Sequence, residues 1–192
     1  GGYFMTEIYF IRHAESDNSV YDDYSRPLTE KGMRDRILVT KFLNSKRIDA
    51  VFSSPYKRAI DTVKDFAGKN HLKIQFIDEF KERHVGRWVD NFTDFSKKQW
   101  NDFHYKLNEG ESLQEVQSRN INALKRILTD YEGKNIVIGT HGTALSTIIN
   151  YYDSSFGYNE FNNIIKLMPW IVRFTFDGKF CKEIEKINVF VY

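Results

Sequence analysis

The chain has 192 residues, 41% of them hydrophobic, which fits one domain with a full apolar core. Lys and Arg number 28 against 26 for Asp and Glu, so a formal charge of +2 argues against nucleic acid or an anionic membrane as partner. No apolar run approaches the roughly 20 residues of a membrane span, and one cysteine, Cys181, permits no intramolecular disulfide. We therefore expect a soluble, cytoplasmic protein; its oligomeric state stays open.

The first half of the chain alternates between short apolar segments and amphipathic helical patterns. Buried strands are predicted over Glu7–Ile11, Ala50–Ser53 and Ile74–Ile77. Thr29 is predicted to cap the helix after the first strand, whose apolar positions are Met33, Ile37, Phe42 and Leu43. Ser54 with Pro55 predicts the start of the helix after the second strand.

The second half continues the alternation. Ser112 and Glu115 have the spacing of a capping box for a helix through Tyr131. The elements predicted after it are a strand over Asn135–Gly139, a helix carrying Leu145 to Tyr152, and a closing hairpin of Ile171–Phe176 with Phe180–Val191. This order predicts an α/β fold, a three-layer sandwich whose central sheet is mostly parallel and has helices on both faces.

The domain prediction covers nearly the whole chain. Residues 5–192 are predicted to form a single domain, and residues 1–4, which precede Met5, are interpreted as a remnant of cloning. Residues 86–110 are irregular in pattern and rich in aromatics, which suggests a lid-like insertion.

Residues with suitable chemistry follow several predicted strands. Arg12 and His13 end the first strand, and His141 follows the strand over Asn135–Gly139. Arg58 lies near the start of the helix after the second strand, and Glu82 follows the third. Because the carboxyl ends of parallel strands share one edge of a sheet, these side chains are expected to converge. Guanidinium groups, imidazoles and a carboxyl group suit a phosphate monoester, since they can bind its oxygens, attack phosphorus and protonate the leaving oxygen.

An ordinary structural role and a metal site are the alternatives to a phosphate site. Each residue alone fits a structural role, and their joint occurrence at successive strand ends is what favours a functional site. A zinc site formed by His13, Glu82 and His141 is the alternative chemistry. The two arginines favour an anion over a dication, so we expect neither a metal nor a cofactor.

The order of the motifs also resembles a known family. The segments that carry the likeness are Arg12–Ala14, Pro27–Gly32, Phe52–Ala59, Glu82–Trp88, Gly110–Ser112 and Thr140–Gly142. Together they resemble the histidine phosphatase superfamily, also called the phosphoglycerate mutase-like family, although Ala14 stands where the family's first motif has glycine.

The resemblance implies roles for individual residues. His13 would accept the phosphoryl group, Glu82 would be the proton donor, and Arg12, Arg58 and His141 would hold the phosphoryl oxygens. The family commonly has Asn seven residues after the motif Arg, where this chain has Ser19. Asn18 lies one position early and is the remaining candidate for that contact.

Three functional classes remain open from the sequence. The first is a phosphatase acting on a phosphorylated small molecule, the second a cofactor-dependent phosphoglycerate mutase, and the third a non-catalytic module that binds a phosphorylated ligand. The third class predicts loss of a chemical residue, and His13, Glu82 and His141 are all present. The sequence therefore favours the phosphatase.

Overall fold

The computed structural model describes residues 4–192, so most of the predicted cloning remnant lies outside the described residues. The strands are β1 (Met5–Arg12), β2 (Ala50–Ser53), β3 (Ile74–Phe76), β4 (Asn135–Thr140), β5 (Trp170–Asp177) and β6 (Phe180–Ile187). The helices are α1 (Glu30–Leu43), α2 (Lys57–Lys69), α3 (Phe92–Asn101), α4 (Leu113–Asp130), α5 (Gly142–Tyr152) and α6 (Tyr158–Ile164). A single 3₁₀ turn occupies Asp78–Phe80.

The strands form one sheet in the order β3-β2-β4-β1-β5-β6. The four strands β3, β2, β4 and β1 are parallel. Strand β5 runs antiparallel to β1, and β6 runs antiparallel to β5. The first two crossovers therefore step toward β3, and the crossover through α4 steps back to β4 between β2 and β1. Since parallel crossovers are right-handed, that reversal puts α4 on the face opposite α1 and α2.

The side chains of each strand alternate between two cores, as the period of a strand requires. Tyr9, Ile11 and Val137 pack with α1 and α2 on one face. Ile8 and Phe10 pack on the other face, in a larger core that α3 to α6 complete. The predicted three-layer α/β sandwich is confirmed.

Several predicted details are wrong. Met33 is 40% exposed, because the buried face of α1 is made instead by Gly32, Val39, Thr40, Phe42 and Leu43. The helix expected at Ser54 begins at Lys57, and β6 ends at Ile187. Helix α6 was not predicted.

The segment 86–110 contains α3, which anchors it to the domain. Trp100 is buried and packs on Phe103, Phe156 and Phe161 in the larger core. The amino-terminal end of segment 86–110 is open to solvent, and Trp88 there is 73% exposed. Within residues 4–192, no helix has the length and apolar composition needed to cross a bilayer.

Candidate active site

The site begins where three neighbouring parallel strands end. His13, Ser54 and His141 directly follow β1, β2 and β4, and β4 lies between the other two. The strand pairing continues one step into these residues, since the His13 N–H donates to the Thr140 carbonyl at 3.1 Å and the Ser54 N–H to the Gly139 carbonyl at 2.9 Å. His141 is therefore held between Ser54 and His13.

His13 is buried and its ring is fixed by its own loop. The ring atom Nδ1 lies 2.7 Å from the carbonyl oxygen of Ala14. A carbonyl oxygen can only accept, so the neutral imidazole donates from Nδ1 and keeps its lone pair on Nε2. The N–H of Ala14 in turn donates to Thr62 Oγ1 at 2.9 Å, which ties the loop to α2.

The surroundings of His13 favour its neutral form. Burial lowers its pKa well below the ordinary value, and the positive charges of Arg58 and Arg12 lower it further. A neutral imidazole with an unprotonated Nε2 is the nucleophilic form of histidine.

His141 forms the second wall of the pocket. Its ring centroid lies 5.4 Å from that of His13, and its Nε2 is 2.8 Å from Ser54 Oγ. Tyr56 packs edge-on against the same ring at 5.3 Å. Burial and the charge of Arg58 lower the pKa of His141 well below its ordinary value. Its Nδ1 is buried and has no hydrogen-bond partner within residues 4–192.

Arg12 lies under the first turn of α5. A Cβ added to Gly142 would come within 2.8 Å of its Cζ, so only glycine at that position lets the guanidinium lie there. Arg12 Nη1 donates to the Ile164 carbonyl at 2.7 Å, and Nε is buried without a partner in the described chain. Burial lowers the pKa of Arg12 to about 10, so it remains a cation at neutral pH.

Arg58 is buried in the first turn of α2 and oriented by Asp23. Its Nη1 donates to the Asp23 carbonyl oxygen at 2.9 Å and its Nη2 to the carboxylate at 3.3 Å. Its guanidinium carbon also lies 5.0 Å from the ring centroid of Tyr56. The loop 17–26 thus fixes the second arginine of the pocket.

Glu82 binds the amino end of α5. Its two carboxylate oxygens accept from the N–H groups of Thr143 and Ala144, both at 2.9 Å, and one of them also accepts from Arg83 N at 2.8 Å. These are the bonds that an N-cap side chain normally makes, and His141, the N-cap residue here, makes none. A carboxylate has about four acceptor positions, so these three bonds do not exhaust it.

Arg119 positions the backbone that carries Glu82. Its guanidinium donates to the carbonyl oxygens of Glu79, Lys81 and Glu82 and forms a salt bridge with Glu111 at 2.8 Å. Glu111 in turn accepts from the N–H of His84 at 2.9 Å. Arg119 and Glu111 therefore act on the site through Glu82 and its neighbours.

The side chains of two further residues make no hydrogen bond to this pocket within residues 4–192. Asn18 is exposed on a turn, and no side-chain hydrogen bond from it occurs in the described part of the chain. Arg83, which follows Glu82, is buried under segment 86–110, where it donates to Gln99 Oε1 at 3.1 Å and packs against the rings of Phe92 and Phe95.

A cleft of about 640 Å³ opens beside Glu82. Its walls contain the tyrosines Tyr21, Tyr24 and Tyr56 and the cations Lys81 and Arg119. Its carboxylates are Asp22, Asp23, Asp78, Glu82 and Glu111. His84, for which no role in a site was predicted, also lines it.

Sequence reasoning missed several residues that build the site. Ser54 directly follows β2, so the same strand-end argument that located His13 and His141 would have located it. Asp23 lies in an irregular loop, where periodicity gives no signal. Among residues 4–192, no group of three or more potential metal ligands is assembled.

The chain is similar in sequence and in structure to known proteins. Residues 8–182 match the model of the histidine phosphatase superfamily, branch 1. The chain is 27% identical over 161 residues to a metal-independent phosphoserine phosphatase of Arabidopsis thaliana, covering 75% of this chain and 67% of that protein. It is 27% identical to the uncharacterised phosphatase PhoE of Bacillus subtilis, covering 76% of each. Among solved structures, YhfR of Bacillus stearothermophilus superposes with a TM-score of 0.75 at 25% identity, covering 92% of this chain and 94% of that one.

Proposed function

Because this chain belongs to branch 1 of the histidine phosphatase superfamily, we propose that it hydrolyses phosphate monoesters of small molecules through a phosphohistidine on His13. The proposal rests on the hydrogen bonding and the charge environment of that histidine. Its Nδ1 is committed to the Ala14 carbonyl, which leaves Nε2 as the attacking atom, and two arginines border it.

The phosphoryl group would lie between the two guanidinium groups and His141. Arg12 Nε and His141 Nδ1 are buried nitrogen atoms without partners in the described chain, and phosphoryl oxygens would supply acceptors for both when those nitrogens carry protons. Arginine suits this position, since its planar donors match phosphoryl oxygens and its charge stabilises the transition state. The donor chemistry of the pocket therefore fits an anion.

The reaction would proceed in two in-line steps. In the first, His13 Nε2 bonds to phosphorus as the bond to the leaving oxygen breaks, and Glu82 gives that oxygen a proton. In the second, the Glu82 carboxylate takes a proton from water, whose oxygen bonds to phosphorus as the bond to Nε2 breaks. Inorganic phosphate and the starting enzyme result. The cleft beside Glu82 would hold the leaving group.

The test is to trap the intermediate and follow phosphate release together. With p-nitrophenyl phosphate, the wild type should release phosphate and yield an acid-labile, base-stable phosphoenzyme after rapid quenching. His13→Ala should lose both, because no other group is placed to attack phosphorus. The matched control is His104→Ala, which removes an exposed histidine and should retain both. A normal amount of phosphohistidine in His13→Ala would refute the proposed nucleophile.

A further inference from the structure

The cleft next to Glu82 is much more acidic than the molecule as a whole. The chain carries 28 basic and 26 acidic residues, whereas the cleft has five carboxylates and two permanent cations. Asp23 pairs with Arg58, and Asp78 and Glu111 pair with the two cations of the cleft, so within residues 4–192 Asp22 and Glu82 are the cleft carboxylates without an ion pair.

Both cations of the cleft are already engaged. Lys81 Nζ lies 3.1 Å from the Asp78 carboxylate and 6.0 Å from the ring centroid of Tyr24. Arg119 is held by backbone carbonyl oxygens and by Glu111. Neither is a free partner for an acidic group on the substrate.

The arginine beside the proposed acid does not enter the cleft either. Arg83 is buried between Phe92, Phe95 and Gln99, on the side of segment 86–110. Among the described residues 4–192, the cleft therefore offers no uncommitted arginine or lysine to a substrate carboxylate.

Apart from Glu82, the proposed acid, one carboxylate of the cleft has no cationic partner within residues 4–192. Asp22 accepts from the N–H and hydroxyl of Ser25, at 3.2 Å and 2.5 Å, and no basic group within residues 4–192 lies within 4.0 Å of it. By contrast, Asp23 is paired with Arg58. Asp22 is thus available to a positive group on a ligand.

Aromatic rings form the rest of the walls. Lys81 already lies against Tyr24 and Arg58 against Tyr56, so Tyr21, next to Asp22, is the ring without a cation beside it within residues 4–192. Tyr21, Tyr24 and Tyr56 line the cleft, and Tyr24 packs edge-on against Tyr56 with ring centroids 4.9 Å apart. The faces of aromatic rings attract ammonium groups, and this attraction adds to that of carboxylates at the same site.

We propose that this cleft selects phosphate monoesters whose alcohol carries an ammonium group and no carboxylate. This inference rests on the proposed function, since it assigns the leaving-group side of the same site. The phosphoryl group lies at His13 between Arg12 and Arg58, and the ammonium group lies beside Tyr21 and Asp22.

Three substrates of nearly equal size test the proposal: phosphoethanolamine, ethylene glycol monophosphate and phosphoglycolate. They place an ammonium group, a hydroxyl or a carboxylate at the same distance from phosphorus. We expect kcat/KM to fall in that order, with about tenfold between the first and the second. The preference should shrink at high ionic strength, because Asp22 is exposed and salt screens interactions between exposed charges.

Asp22→Asn tests the assigned residue. Asparagine keeps an acceptor oxygen for Ser25, so the turn is retained while the charge is removed. The preference for phosphoethanolamine over ethylene glycol monophosphate should fall by about threefold, the effect of an exposed ion pair. Asp130→Asn, at the exposed end of α4, is the matched control and should keep the wild-type preference.

The outcomes separate this inference from the proposed function. Equal or better hydrolysis of phosphoglycolate would overturn the inference, as would turnover of p-nitrophenyl phosphate with none of phosphoethanolamine. If Asp22→Asn keeps the wild-type preference, Asp22 does not bind the ammonium group, and that assignment is wrong. Failure to hydrolyse p-nitrophenyl phosphate at all would instead contradict the proposed function.

Discussion

Glu82 has two tasks that operate through the same carboxyl group. It satisfies two N–H groups at the start of α5, which is a structural task, and we propose that it also transfers the proton to and from the reacting oxygens. The partial positive charge at the amino end of a helix attracts a carboxylate there, so position and chemistry are coupled. A substitution has to distinguish the two tasks.

Glu82→Gln should slow hydrolysis of an alkyl phosphate about a hundredfold more than that of p-nitrophenyl phosphate, because a good leaving group needs little protonation. The amide also presents a donor where two backbone N–H groups need acceptors, so the free energy of unfolding should fall by about 1 kcal/mol. Steady-state rates on both substrates and urea unfolding measure the two effects. Glu132→Gln, an exposed carboxyl outside the site, is the control. If Glu82→Gln slows hydrolysis of both substrates equally, Glu82 stabilises the start of α5 but does not transfer the proton.

His13 and His141 make the stability of the fold depend on pH. Burial, then nearby positive charge, lowers both pKa values well below 6.5. At a pH between the lowered pKa of these histidines in the folded protein and their ordinary pKa in the unfolded chain, only the unfolded chain binds the protons. The free energy of unfolding therefore falls as the pH falls through this range.

Urea unfolding between pH 7.5 and 5.5 measures this dependence. We expect the free energy of unfolding to decrease below about pH 6.5, with each histidine contributing a limiting slope of about 1.4 kcal/mol per pH unit. In His13→Ala, the slope of the free energy of unfolding against pH should be smaller by the contribution of one histidine. An identical slope in the variant would contradict the assigned shift.

At the scale of elements, helix starts show what the sequence can and cannot predict. Thr29 caps α1 as predicted, and its Oγ1 accepts from Gly32 N at 3.0 Å. A Cβ at residue 32 would lie 2.2 Å from the Glu15 carbonyl oxygen, so the loop after β1 packs directly on this turn. A local motif was predictable here because the interactions that define it are local.

The start of α2 was predicted incorrectly because distant residues decide it. Ser54 has the sequence features of a cap, and its Oγ does accept from Tyr56 N at 3.2 Å, but the same oxygen also contacts His141. The first N–H of α2, from Lys57, donates instead to the carbonyl oxygen of Tyr24 at 3.1 Å, in the loop 17–26. The same loop supplies Asp23 to Arg58 and Asp22 to the cleft, and no periodicity in the sequence indicates where it folds.

At the scale of the whole molecule, the order of the strands explains why distant residues meet. β4 inserts between β2 and β1, so His141 lies beside His13 although 128 positions separate them in the chain. The alternation of strands and helices was sufficient to predict this edge as the site. Charge compensation was not predictable: the burial of Arg83 and the pairing of Lys81 with Asp78 depend on side-chain packing around segment 86–110 and the turn at 78–80.

The architecture around the pocket also decides which molecule accepts the phosphoryl group. A transferase must keep water from the phosphoenzyme, which requires a cover over the nucleophile. The segment 86–110 is short, and its helix α3 turns Phe95 and Trp100 inward to the protein. Within the described chain, none of its residues lines the cleft. It contacts residues of the cleft wall where Trp88 packs edge-on against Tyr21, with ring centroids 6.0 Å apart, and where Gln99 donates to the Glu111 carbonyl oxygen at 2.9 Å.

Water should therefore be the acceptor. With p-nitrophenyl phosphate and a large excess of glycerol, nitrophenol and inorganic phosphate should form in equal amounts, because glycerol lacks the ammonium group for which we propose that the cleft is selective. In a second assay, 3-phosphoglycerate with catalytic 2,3-bisphosphoglycerate should give little 2-phosphoglycerate, since the cleft has no uncommitted cation for the carboxylate of either compound. Nitrophenol in excess of phosphate, with glycerol phosphate accumulating, would show transfer to an alcohol. Rapid formation of 2-phosphoglycerate with negligible free phosphate would establish the mutase, and with it a closed state in which the segment 86–110 covers His13.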